Sequence, residues 1–137
     1  MTSVVIDASI TAAWCFDDEE TQYALDVLRR AKDINFFVPA IWPVEMVNVL
    51  LVNERRKRIT ASDTARAAAL FNELAIQVDW PGAMQPFDAT LLLAREHSLS
   101  SYDASYLELA LRQGMPLATL DGRMRIAATA AGVQLLV

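Results

Sequence analysis

The chain has 137 residues, 54% of them hydrophobic, and a formal net charge of −5 at pH 7. That length suits one domain spanning residues 1–137, able to bury a core without staples, and no apolar run reaches the ~18 residues of a membrane span. The acidic balance argues against a general polyanion-binding surface unless several of the acids hold cations. The single cysteine, Cys15, excludes an internal disulfide and fits a reducing, cytoplasmic setting.

Val4-Val5-Ile6 reads as a β-branched strand ending at Asp7, and without a basic flank the N-terminus reads as core strand rather than leader. Ser9 is placed to cap a helix running to about Trp14. Asp17-Asp18-Glu19-Glu20 puts acids at the start of a second helix, Thr21 to about Ala31. Phe36-Phe37-Val38 is a second strand stopped by Pro39. From Ile41 to Arg58, Val44, Val47 and Leu51 recur at helical spacing, Pro43 suits the first turn, and Arg55-Arg56-Lys57-Arg58 closes the helix where cations meet its dipole. Thr60-Ala61-Ser62-Asp63 caps a helix to about Ala75, and Ile76 to Trp80 is a third strand. Helices follow over Asp88–His97 and Asp103–Arg112, then a strand over Leu117–Leu120, a helix over Arg123–Ala131 and a last strand over Val133–Val137. Strands alternating with helices imply right-handed crossovers and a mainly parallel sheet, giving one three-layer α/β/α domain.

Asp7, Glu45, Asp103 and Asp121 stand out because each sits in mostly apolar sequence beside the end or start of an element. In an open parallel sheet, ligands gather at the carboxyl ends of the strands, and this topology lets all four meet at that edge. Clustered carboxylates repel, and a hard divalent cation relieves the repulsion. A Mg²⁺ or Mn²⁺ site of this kind activates water and orients a phosphodiester. Each acid has a plainer reading: Asp103 as a helix N-cap, Asp121 as a turn residue and cap, Asp7 as a cap competing with Ser9. Glu45 has no basic residue three or four positions away to pair with. Small polar residues surround the acids. Thr119 shares a strand face with Asp121, Ser9 follows Asp7 by two positions, and Asn48 lies one helical turn beyond Glu45. Ser9 is read either as a cap or as a substrate contact. Cys15, between Trp14 and Phe16, reads as a small core residue rather than a nucleophile.

Val4-Val5-Ile6-Asp7-Ala8-Ser9, Pro43-Val44-Glu45-Met46-Val47-Asn48-Val49-Leu50, Ser101-Tyr102-Asp103-Ala104-Ser105-Tyr106-Leu107-Glu108-Leu109-Ala110, Pro116-Leu117-Ala118-Thr119-Leu120-Asp121 and the later Gly132-Val133 occur in order across nearly the whole chain. In this the sequence resembles PIN-domain ribonucleases, and more narrowly the VapC toxins of bacterial type II toxin–antitoxin systems. The resemblance implies an α/β/α fold and a Mg²⁺- or Mn²⁺-dependent endoribonuclease leaving a 5′-phosphate and a 3′-hydroxyl. Its acidic quartet falls on Asp7, Glu45, Asp103 and Asp121, and its hydroxyl before the last acid on Thr119. Many relatives carry a basic residue before the tryptophan of the first helix, where this chain has Ala13. The resemblance also implies a homodimer and a VapB-type antitoxin lying across a groove, for which Trp14, Phe16, Trp42 and Met46 are candidates. Arg55, Arg56, Lys57 and Arg58 are candidates for salt-sensitive contact with RNA phosphates, against the plainer reading of a solvated helix end.

Two other readings compete. A phosphoacceptor signalling domain would also place acids at strand ends, but expects a lysine at the site, and Lys32 and Lys57 end no strand. A catalytically silent protein-binding module would have no need to keep all four acids.

Overall fold

The alternation resolves into strands β1 (Thr2–Ile6), β2 (Ile34–Pro39), β3 (Gln77–Asp79) and β4 (Leu117–Ala118). Between them run helices α1 (Ala8–Cys15), α2 (Gln22–Arg29), α3 (Trp42–Arg55), α4 (Ala61–Glu73), α5 (Ala89–His97), α6 (Ser101–Gln113) and α7 (Gly122–Ala131). The structure is a computed structural model that describes residues 1–19 and 21–137. The strands form one sheet in the order β3-β2-β1-β4, and every pairing is parallel. Val4, Val5 and Ile6 are consecutive and all fully buried. Successive strand residues point to opposite faces, so both faces of β1 are covered and the three-layer arrangement follows. On β1 and β2 packs α6, which buries Tyr106, Leu107, Leu109 and Ala110. No helix among the described residues is long and apolar enough to cross a membrane.

Local chemistry explains where elements stop. Gly114 and Gly132 take left-handed backbone (φ 65° and 83°) directly after α6 and α7, a conformation glycine adopts without steric cost. The expected cap of α4 forms as a full capping box: the Thr60 hydroxyl accepts from Asp63 N–H and the Asp63 carboxylate from Thr60 N–H. The acids before α2 do not open that helix. Asp17–Glu19 form a separate 3₁₀ turn, and the Thr21 hydroxyl, accepting from Ala24 N–H at 3.1 Å, starts the helix at Gln22; Glu20 lies outside the described residues.

Three other expectations change. The last strand, Val133–Val137, reduces to one parallel bridge between Leu135 and Leu117. Its neighbour β4 is only two residues long, so there is little ladder to extend. Instead Tyr23 Oη holds the C-terminal segment by donating to Leu136 O at 2.6 Å. Strand β4 itself stops at Ala118, because Leu120 N–H and Asp121 N–H turn to side-chain hydroxyls rather than to a neighbouring strand. On α3 the helical spacing holds but the inward face is Trp42, Met46 and Leu50. Val44, Val47 and Leu51 point outward, with Val44 68% exposed.

Candidate functional site

Asp7 leaves the carboxyl end of β1 and is the N-cap of α1, its Oδ1 accepting from Ser9 N–H at 3.1 Å and Ile10 N–H at 3.3 Å. Ser9 therefore is not the cap. Its hydroxyl donates to Asp7 Oδ1 at 2.5 Å and accepts from Leu120 N–H at 2.9 Å. The Thr119 hydroxyl, fully buried, donates to Asp7 Oδ2 and accepts from Asp121 N–H at 3.0 Å. Two hydroxyls thus lace the end of β1 to the segment after β4 and fix both oxygens of Asp7. The Ser9 donor is used in this lacing, while one lone pair of its hydroxyl stays open to a further contact.

The other acids arrive on helix starts at the same edge. Asp121 caps α7, accepting from Arg123 N–H at 3.0 Å. Asp103 is not the cap of α6. Ser100 is, its hydroxyl accepting from Asp103 N–H at 3.1 Å; Ser100 also hydrogen-bonds the half-buried Asp103 carboxylate. Glu45 sits in the first turn of α3 and accepts a hydrogen bond of 2.5 Å from Tyr106 Oη. Tyr106, 1% exposed, comes from the middle of α6. It escaped the sequence reading as a site residue, although it lies one turn after Asp103, a spacing that puts both on one helix side. Burial and the neighbouring Glu45 carboxylate push its phenol far up, so it stays a neutral donor. Tyr106→Phe keeps the ring and removes the donor. We expect this to cost about 1–3 kcal/mol, the cost of stranding a hydrogen-bonded carboxylate, read by urea unfolding at neutral pH; an unchanged midpoint contradicts the bond.

The electrostatics tie these groups together. Burial pushes Asp7 up to about 6, against the hydrogen bonds from Ser9, Thr119 and Ile10, and the charge of Asp103 raises it further. Burial, and then Asp103, raise Glu45 against its hydrogen bond from Tyr106; burial, and then Asp121, raise Asp103. A basic side chain reaches this edge: Arg125 donates to Thr119 O at 3.4 Å. Among the described residues, no three His, Cys, Asp or Glu side chains close into a ready metal cage. Each of Asp7, Glu45 and Asp121 is engaged by a donor of its own. Nor does any buried side-chain N or O atom among the described residues lack a partner. The fit to a metal therefore rests on donor chemistry: oxygen ligands only, destabilised by burial and by one another, which is what a hard divalent cation relieves.

Asn48 is exposed on α3. The basic run begins at Arg55, the last residue of α3, about 15 Å from Glu45 at 1.5 Å per residue. Lys57 takes positive φ as the chain leaves the helix, and Arg58 is committed elsewhere, donating to Asp18 at 2.6 Å and to Asn53 at 2.5 Å and covering the Phe16 ring. All four residues of the run, Arg55, Arg56, Lys57 and Arg58, are exposed. Phe16, Trp42 and Met46 are buried in core clusters, and Trp14 donates to Ala24 O at 2.8 Å, so they are packing residues first. Cys15 is half-buried, and burial followed by Glu19 pushes its thiol up to about 11, which disarms it as a nucleophile.

A comparison with curated proteins gives no significant match. Among solved structures, the crystal structure of PAE2754 from Pyrobaculum aerophilum superposes with a TM-score of 0.65 at 23% identity, covering 92% of this chain and 86% of that one, a likeness of fold. The PIN domain family profile matches residues 4–130, from β1 into the last turn of α7. With a parallel sheet whose carboxyl edge carries Asp7, Glu45, Asp103 and Asp121, this chain belongs to the PIN domain family, a nuclease superfamily whose members generally depend on divalent metal ions.

Proposed function

We propose that the chain is a Mg²⁺- or Mn²⁺-dependent endoribonuclease, its residues 1–137 acting as one catalytic unit, and the toxin of a VapBC-type pair. The observation that carries this reading is the buried Asp7, electrostatically coupled to Asp103, which is coupled in turn to Glu45 and Asp121. Asp7, Asp103 and Asp121 supply oxygen ligands. Ser9 and Thr119 hold Asp7 in one orientation. Tyr106 occupies Oε1 of Glu45, leaving the other oxygen to bind metal or orient the attacking water. When bound, the divalent ion acidifies water and polarises the phosphodiester. Water oxygen adds to phosphorus, the bond from phosphorus to the 3′-oxygen breaks, and the products carry a 5′-phosphate and a 3′-hydroxyl.

Arg55, Arg56 and Lys57 are available for salt-sensitive phosphate contact away from the acids, and Asn48 for a contact on the exposed side of α3. The outward Val47 and Leu51 line a groove of about 300 Å³ between α3 and α4, which suits an antitoxin segment; a homodimer and a cytoplasmic setting complete the reading. No observation favours a phosphoacceptor: Lys32 closes a 3₁₀ turn after α2, and Lys57 lies past the end of α3.

Purified protein is expected to cut structured RNA with Mn²⁺ or Mg²⁺, to stop in EDTA, and to lose activity in Asp103→Asn. Equal cleavage by wild type and variant ends the nuclease assignment. Growth arrest on induction of wild type but not of Asp103→Asn tests the toxin role.

A further inference from the structure

Beside the acidic edge lies a cavity of about 350 Å³ whose walls include Pro39, Ile41, Pro81, Pro86, Tyr102 and Gln85. Pro39 and Asp79, both on its wall, are the paired last residues of β2 and β3. Neighbouring strands are about 4.8 Å apart, so the cavity sits one to two strands, roughly 5–10 Å, from the end of β1 and Asp7. Its other side is the Ser101, Ser105, Glu108 and Arg112 face of α6; Asp103 lies about half a turn around the helix from that face, with Tyr102 between the two. A strand of nucleic acid crossing the carboxyl edge from β4 towards β3 passes the acids first and this cavity next.

The chemistry of the wall limits what it takes. Arg112 bridges Glu108, at 2.6 Å, and Asp79. Those two carboxylates are spent on the guanidinium and unavailable to a metal, while the trio keeps one net negative charge and repels phosphate. What remains is proline and isoleucine surface, an aromatic ring, the hydroxyls of Ser101 and Ser105, and the Gln85 amide, whose Oε1 accepts from Thr90 and whose NH₂ remains to donate. Tyr102 is 58% exposed although it is a large aromatic. A flat, uncharged ring with hydrogen-bonding edges fits this set. Trp80, the residue after β3, leaves a second ring exposed at the same sheet edge.

The geometry points to a subsite for an unpaired nucleobase flanking the scissile phosphate, with Tyr102 as its stacking platform. This inference rests on the ribonuclease reading and names its substrate as single-stranded or looped RNA, since a duplex keeps its bases stacked inside. The test uses the full chain, Mn²⁺ and a single-stranded RNA whose cut site has been mapped. Tyr102→Ala raises KM by roughly 5- to 100-fold, the range that loss of one base–aromatic stack produces, while Tyr102→Phe, which keeps the ring, stays within about twofold of wild type. Both variants melt at the wild-type temperature. Replacing one flanking nucleotide by an abasic ribose raises the wild-type KM by the same factor and adds nothing in Tyr102→Ala, because the two changes delete one interaction. An unchanged KM in Tyr102→Ala, or penalties that multiply, overturns the subsite while leaving the nuclease intact. A wild type that cuts no RNA takes down the nuclease reading and the subsite with it.

Discussion

Asp7→Asn abolishes divalent-dependent RNA cleavage and yet makes the metal-free protein more stable at neutral pH. The activity falls by more than about 100-fold, beyond the loss expected for an outer-shell partner alone. The stability gain has a separate cause. Burial pushes Asp7 up to about 6 from an ordinary 3.8, so holding it ionised at pH 7 costs on the order of 3 kcal/mol, at 1.36 kcal/mol per pKa unit. Asparagine keeps the carbonyl oxygen that caps α1, since Asn and Asp cap equally well, and carries no charge to bury. Urea unfolding in EDTA at pH 7 should show a gain of about 1–3 kcal/mol, the amide's imperfect fit to the Thr119 hydroxyl taking part of it back. A variant that is both less stable and equally responsive to Mn²⁺ in its melting temperature removes Asp7 from the metal site.

The wild type carries the same tension as a pH dependence. Asp7 binds its proton more tightly folded, at about 6, than unfolded, near 3.8. Between those values the native state holds more protons, so metal-free stability declines as pH rises through that window, by up to about 3 kcal/mol, and levels off near pH 7. Glu45 and Asp103 are raised as well and act in the same direction. Millimolar Mn²⁺ reverses the trend at the upper end of the window, because the cation binds the deprotonated carboxylates and stabilises the native state by mass action. Melting curves from pH 4 to 7.5, with EDTA and with Mn²⁺, read both arms. Metal-free stability that rises with pH across this range contradicts a carboxylate buried at the end of β1.

The sequence by itself determined the parallel α/β architecture. Strand-like runs such as Val4-Val5-Ile6 alternate with helix-period segments along the chain, which implies crossovers and a parallel sheet covered by helices. The capping box of Thr60 and Asp63 was equally legible, because caps depend on neighbours within one turn. So was the presence of isolated acids in apolar surroundings. Tertiary structure decided how each side chain is spent. Ser9 and Asp7 both suit a cap on local grounds, and the choice fell to Asp7 because Ser9 is drawn to Leu120 N–H, which is remote in sequence. Tyr106 reads as a core aromatic until α3 brings Glu45 to its hydroxyl. The outward turn of Val44, Val47 and Leu51, and the reduction of the last strand to one bridge at Leu135, depend on which surfaces neighbouring elements leave available. Short-range geometry is written in consecutive residues. Hydrogen bonds and burial between segments far apart in the chain exist only once the sheet has assembled.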